Sequence, residues 1–430
     1  MTTPAPSGQT PARLGNLGLL ALLSLCLGVF AGVVVWLVLR LIHVGTDVLW
    51  QDLPAALGVA PHSAAFQGYT LLLCLGGGAL IGLWQRRHGV LPENMEEVIA
   101  RIRREGAYPC DRLHIIAIAA VLPLVFGGAV GPEAGLSGLV AGLCYWIGAH
   151  LRCKGEQVAA LTEAGFVATL GVIFQAPFFG IVHNLEPNAG AGGWRQQLAS
   201  KRTRILLYCA GVLGAFAAFY LLGRVFAVHV GLPRFDAHHA IGWAQWQWFV
   251  PLLAIGIVSA AFYRSVQHLA QRLARQLAAR ILLRTLLAGM AVALCACWLP
   301  QTIFSGEQQM RELMNVWHTL PPAQLVLIAA VKLVLVSLCI ELGWRGGAIF
   351  PLIFSSAALG YAFAQIVGMD GNFAVAILTA ALYARILRKP LAVVAILLLC
   401  FPLTYLPPLL VAAFAAAKFP PPRAVRESHA

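Results

Sequence analysis

Residues 14–39 form a run of 26 without Asp, Glu, Lys or Arg, bounded by Arg13 and Arg40. A helix needs about 20 apolar residues to cross the hydrocarbon core of a bilayer, and a signal-peptide apolar region is shorter than this run. The chain therefore enters a membrane near its start. Eleven further apolar stretches follow, near 66–84, 113–128, 134–150, 156–182, 205–222, 248–263, 285–300, 322–340, 346–367, 373–384 and 391–416. Several are shorter than a span or broken by Gly and Pro. The pattern predicts roughly ten to fourteen membrane helices, some of them re-entrant or tilted. With 60% hydrophobic and 11% charged residues, the chain lacks the polar surface a soluble domain needs.

A net charge of +13 raises nucleic acid as a partner, but the charges sit in the connections between apolar stretches. Residues 44–65 carry Asp47 and Asp52 and no Lys or Arg. The next connection carries Arg86, Arg87, Arg101, Arg103, Arg104 and Arg112, and basic clusters recur at 152–154, 195–204 and 264–284. The positive-inside rule then places both termini and these clusters in the cytoplasm, with the 44–65 loop outside. An integral protein of a bacterial inner membrane is expected, in contact with lipid and without nucleic acid. Cys26, Cys74, Cys209, Cys339 and Cys400 fall inside apolar stretches and read as small buried hydrophobes. The "CAC" of Cys295 and Cys297 points its thiols apart on a helix, and His238 and His239 read as a solvated loop pair. No cofactor or metal site is implied.

Three helix breaks recur in one order. Gly89 in "HGVLP" precedes Gly131 in "GGAVGPEAG" by 42 residues, and Pro177 in "FQAPFFG" follows 46 later. Gly306 in "FSGEQ" precedes Gly346 in "GWRGGAIFP" by 40, and Pro390 in "RKPLAVV" follows 44 later. This predicts two related membrane halves, 14–200 and 201–418, between short cytoplasmic tails at 1–13 and 419–430 with no regulatory domain. A helix that begins in mid-membrane leaves backbone N–H groups unpaired at its positive end, which suits an anion and not hydrocarbon. "HGVLP", "GGAVGPEAG" and "GWRGGAIFP" are the candidate anion-binding segments, whereas "LGGGAL" at 75–80 reads as close helix packing.

Glu133 stands alone among apolar residues in "GPEAG". An ionisable group at membrane depth is by default a functional candidate. When ionised, a carboxylate at an anion site can fill that site; when protonated, it can withdraw. It is thus a gate and a proton carrier at once. Glu186 is placed at the cytoplasmic rim, Glu163 reads as interfacial, and Lys332 and Glu341 as structural.

These segments resemble motifs of the CLC family of chloride channels and chloride–proton antiporters, over about Gly89 to Lys418. "GGAVGPEAG" is similar to the family's Gly-x-Glu-Gly-Pro motif, with Gly131, Pro132 and Glu133 in its first three places and Glu133 as the gating glutamate. "GVIFQAPFFGIVHNLE" resembles its Phe-Asn-Ala-Pro-Leu-Ala-Gly segment through Ala176, Pro177, Gly180 and Glu186. "VKLVLVSLCIELGWRGGAIFP" resembles the helix and loop of its third anion-binding segment, through Gly343, Gly346, Gly347 and Pro351. The resemblance implies an all-α fold of two inverted halves, a homodimer with one pore per subunit, and anion-facing N–H groups on Ala348 and Ile349. It departs in four places. Gly89 stands where a serine hydroxyl would bind the anion. The internal proton-transfer glutamate aligns with Pro187, leaving Glu186 adjacent as a possible inner proton path. Tyr405 is the counterpart of the pore tyrosine, with a shorter spacing to the next proline. Arg345 adds a full charge beside a loop built from backbone.

The expected function is passive or proton-coupled transport of chloride. The alternatives are a channel in which Glu133 only gates, and a transporter of fluoride or an organic anion. A membrane-embedded enzyme would need a metal cluster such as "HExxH" or a nucleophile beside a base. The sequence offers neither, so no enzymatic activity is expected.

Overall fold

Within a bilayer a backbone without water must pair its own N–H and C=O groups, and the described residues do so by folding mainly into helices. The computed structural model describes residues 17–61, 63–92, 113–150, 155–186, 201–226, 233–235 and 241–419. Outside these lie Pro187, the His238 and His239 pair, Arg101, Arg103, Arg104, Arg112, Arg152, Lys154, Arg195 and both tails save Phe419. Among the described residues there is no strand, only the single bridge Gly131–Gly347.

Helix α1 (Leu17–Asp47) runs on through a π-helical turn to Ala56, and α2 (Ala64–His88) returns. Next come α3 (Leu113–Val125), α4 (Glu133–His150), α5 (Gly155–Ile173) and the short α6 (Pro177–Leu185). The second part holds α7 (Lys201–Val225), α8 (Phe249–Gln276), α9 (Ile281–Trp298), α10 (Glu307–Val316) and α11 (Pro322–Glu341). It closes with α12 (Ile349–Val367), α13 (Gly371–Leu387), α14 (Pro390–Cys400) and α15 (Leu406–Lys418). Seven described helical segments are long and apolar enough to cross a membrane, and six shorter apolar helices of 10–17 residues accompany them.

Two of the three recurring breaks have matching geometry. After α5, Gln175 takes a left-handed conformation (φ 57°), Ala176 follows, and Pro177 opens α6. After α13, Arg388 does the same (φ 55°), Lys389 follows, and Pro390 opens α14. Proline suits the first helical position because its missing N–H would be unpaired there anyway. At the Gly131 and Gly346 break the correspondence is shifted by one residue: Gly131 and Gly347, each two residues before a helix, pair with one another as antiparallel bridge partners. The third pair differs: Gly89 (φ 87°) ends α2, whereas Gly306 (φ 98°) begins α10.

Close approach holds the periphery. A Cβ on Gly28 would lie 2.0 Å from Gly211 O, and one on Gly214 would lie 2.2 Å from Leu25 O, so α1 and α7 touch backbone to backbone. Gly78, in the 75–80 glycine run, lies against Thr285 O of α9 in the same way. The buried interior is formed by α12 and α13, whose inward residues are almost wholly inaccessible, while single leucines and phenylalanines of the outer helices face outward.

Helix α2 measures the depth of the molecule. Near its start Tyr69 donates to Leu49 O (2.6 Å), beside Trp50. Near its end Gln85 donates to Gly343 O (2.6 Å). Sixteen residues of helix separate these contacts, about 24 Å at 1.5 Å per residue. One face of the molecule therefore carries Asp47, Trp50 and Asp52, and the opposite face carries Arg86, Arg87 and His88.

Candidate functional site

Two loops reach the interior from these opposite faces. Residues 126–132 come from the Trp50 face, where the Trp50 indole donates to Val125 O (3.0 Å) and Phe304 N donates to Gly127 O (3.1 Å). Residues 342–348 come from the basic face, tied by Gln85 to Gly343 O and by Trp344 Nε1 to Thr285 O (2.9 Å). The loops meet at Gly131 and Gly347, which exchange two backbone hydrogen bonds of 2.7 Å each. Immediately beyond the junction α4 begins at Glu133 and α12 at Ile349, so two helix N-termini face one point.

The Glu133 side chain occupies that point. The residue is 1% exposed, and its Oε1 accepts the N–H of Ile349 at 2.7 Å. Its Oε2 is buried without a hydrogen-bond partner. A Cβ on Gly347 would lie 1.8 Å from Glu133 Cδ, and one on Gly131 would lie 2.0 Å from Oε2. Only glycine at both positions leaves room for the carboxylate. Gly346 is confined too, since a Cβ there would meet Val130 Cγ2 at 2.6 Å. Pro132 O accepts Leu136 N (3.0 Å) in the first turn of α4, and Ala348 is the N-cap of α12, its carbonyl accepting Leu352 N (3.0 Å). Ala129, Val130, Trp344, Phe174 and Phe350 are each at most 2% exposed, and the last two stack at 5.2 Å. The cradle is closed off from outside solvent, so backbone dipoles act on a charge within it with little screening.

The structure joins Glu133, Gly131, Pro132, Gly346, Gly347, Ala348 and Ile349 in this cradle, with Arg345 half-buried on the loop that leads into it. Other candidates are engaged elsewhere. Gly89 is exposed, with open space where a Cβ would stand, and closes α2 through its N–H to Gln85 O (2.9 Å). Tyr405 donates its hydroxyl to Asp370 Oδ2 (3.1 Å), the N-cap of α13, and packs on Phe401. Glu186 accepts the N–H groups of Leu391 (3.1 Å) and Ala392 (2.9 Å), capping the N-terminus of α14. In return Lys389 donates to His183 O (2.7 Å) in the last turn of α6, so each helix end receives the charge its dipole favours.

Two buried groups have larger roles than their sequence context suggests. Lys332 is fully buried in α11 and donates to Ile303 O (3.1 Å) and Phe304 O (2.6 Å), fixing the loop that holds Gly127. Its position amid "AAVKLVLV" was the available signal. Glu163 is buried, in an ion pair with Arg204 (2.6 Å) that Asn184 and Tyr208 complete. Arg204, of the basic cluster at 195–204, is likewise buried, in the first turn of α7 at 8% exposure.

Residues 77–419 match the family described as "Voltage gated chloride channel". The "Putative ion-transport protein YfeO" of Escherichia coli strain K12 and that of Shigella flexneri are each 24% identical over 357 residues, covering 80% of this chain and 78% of theirs. Among solved structures, a slow cyanobacterial Cl-/H+ antiporter superposes with a TM-score of 0.79 at 16% identity, covering 93% of this chain and 94% of that one. A CLC-type fluoride/proton antiporter does so with a TM-score of 0.73 at 19% identity, covering 94% and 96%. The buried cradle at two helix N-termini and the family match over most of the chain lead to one conclusion: this polytopic, all-α membrane protein belongs to the CLC family of anion channels and antiporters.

Proposed function

We propose that the protein carries small inorganic anions, chloride first among them, across a bacterial inner membrane through the Glu133 cradle. The supporting observation is that a carboxylate, the chain's own anion, lies between Gly131 and Gly347 and takes the Ile349 N–H. A halide of similar charge can use the same N–H groups once Glu133 is protonated and swings away. Exchange then follows if the proton is released to the opposite face. In this reading the basic face is cytoplasmic and the protein works as a homodimer with one cradle per chain.

Two readings remain besides chloride–proton exchange, each with its own support. Glu186 is occupied as a helix cap, which favours a channel in which Glu133 gates without delivering protons inward. The donor recorded at the cradle is backbone N–H, with the Tyr405 hydroxyl held by Asp370, and this favours a small, strongly hydrogen-bonding anion such as fluoride.

The deciding experiment follows chloride or fluoride efflux and pH together in liposomes, for the native chain and Glu133→Ala. Efflux with opposing proton uptake, lost in the variant, establishes exchange. Efflux without proton movement establishes a channel. No flux of chloride, fluoride or nitrate in either protein overturns the proposal.

A further inference from the structure

Helices α1 and α7 run side by side and touch at successive turns. Ser24 donates to Leu207 O (2.6 Å), Gly28 lies on Gly211, and Gly32 lies on Ala215. The far end of α1 carries Asp47, so Ala21 and the start of α7 lie towards the opposite, basic face. Beside the contact is an open groove of about 560 Å³, walled by Ala21 of α1 and by Leu206, Cys209 and Leu213 of α7. Arg202 stands at its basic-face end and is the one charged residue among the described residues of its wall. From Arg202 to Leu213 the helix rises about 16 Å at 1.5 Å per residue, close to one leaflet of a hydrocarbon core about 30 Å thick. The groove thus has the reach of an acyl chain, with a cation at headgroup level.

Two arginines of this first turn have different fates. Arg204 is buried and pairs with Glu163 (2.6 Å). Arg202 is exposed and has no ion-pair partner among the described residues. Helix stability does not account for Arg202, because the first turn is the positive end of the dipole, where a cation is disfavoured. The positive-inside rule accounts for an arginine on this face but not for the apolar groove beneath it. A guanidinium matches a phosphate with two parallel hydrogen bonds, and basic residues at the cytoplasmic surface attract anionic lipid. A zwitterionic lipid carries its own cation beside the phosphate and gains less from Arg202.

We infer that this groove binds one anionic glycerophospholipid, with its phosphate on Arg202 and an acyl chain against Leu206, Cys209 and Leu213. The site shares no residue with the Glu133 cradle and does not depend on the transport reading. A second copy of the chain seated on the same face is the competing occupant.

Cys209 is exposed in the groove and Cys26 is exposed on α1 outside it, which supplies a reporter and its control in the native chain. The detergent-solubilised, lipid-stripped full chain is treated with N-ethylmaleimide, and peptide mass spectrometry follows the modification of each cysteine. Dioleoylphosphatidylglycerol should slow modification of Cys209 and leave Cys26 unchanged, whereas dioleoylphosphatidylcholine should protect Cys209 much less and inorganic phosphate not at all. The phosphatidylglycerol concentration giving half-protection should rise about fivefold in Arg202→Gln and barely move in Arg202→Lys. Monodisperse elution and a native Cys26 rate separate lost binding from lost fold, and the contrast between the two lipids in the native chain stands even if a variant does not fold. No protection by phosphatidylglycerol, equal protection by phosphatidylcholine, protection by phosphate alone, or an unchanged half-protection in Arg202→Gln overturns the site. So does protection of Cys209 without lipid that grows with protein concentration, which would mean that a second copy covers this face.

Discussion

Glu133, buried at two helix N-termini, has one carboxylate oxygen matched and one without a hydrogen bond. Ionised, it is held by the Ile349 N–H and the dipoles of α4 and α12; neutral, it loses most of that attraction. Glu133→Gln keeps the shape and removes the titration. Anion flux in this variant should no longer vary with pH, and coupled proton movement should vanish; a retained pH dependence would place the sensor elsewhere. The glycine walls make a sharper test. The three atoms nearest a Cβ on Gly347 all belong to Glu133, the closest at 1.8 Å. Gly347→Ala should cost about 1–3 kcal/mol of stability by overpacking. Glu133→Ala in the same chain removes the obstacle, so the double variant should melt above Gly347→Ala alone. Additive losses would mean that the alanine meets something other than Glu133.

At the scale of elements, polar groups from separate helices tie the bundle together, and they mark how far local sequence can be read. Glu133 and its glycines were legible because Gly, Pro and an isolated charge break an apolar pattern at the spot where a helix starts. Tyr405 and Glu186 were not, because their partners, Asp370 and the N-terminus of α14, lie 35 and 205 or more residues away. Nothing near either residue announces those partners. The Glu163–Arg204 pair has the same character: each residue adjoins a charged turn in sequence, yet they meet inside the fold across 41 positions. Removing one member of a buried ion pair strands the other, at about 3–5 kcal/mol. Arg204→Ala should therefore lower the melting temperature in detergent well below that of the native chain. Arg204→Met combined with Glu163→Leu should recover most of the loss, since well-packed apolar residues often replace a buried pair at little cost. A melting temperature unchanged by Arg204→Ala would show that the pair contributes nothing to cohesion between α5 and α7.

The molecule as a whole has two chemically distinct faces about 24 Å apart, at 1.5 Å per helical residue along α2. Each face sends one loop to the cradle and holds a cation behind it. Lys332 steadies the loop that backs residues 126–131, and Arg345 stands on the loop leading in from the other face. A site fed from both faces fits transport in either direction, and the charges on the faces set which way the protein lies in its membrane. The connection after α1 carries Asp47 and Asp52, while the turn between α8 and α9 adjoins Arg275, Arg280 and Arg284. Positive charge is retained on the cytoplasmic side during insertion, so the first connection should face outward and the second inward. Ala60 and Ala279 are exposed in these two connections, and their small side chains make neutral substitution sites. In a background freed of the native cysteines, Ala60→Cys should react with a membrane-impermeant maleimide on intact cells. Ala279→Cys should react only after the membrane is opened. The reverse pattern would invert the orientation and put the basic face outside. Labelling of both cysteines on intact cells would mean that the chain inserts both ways, and the two faces would then serve the same role in turn.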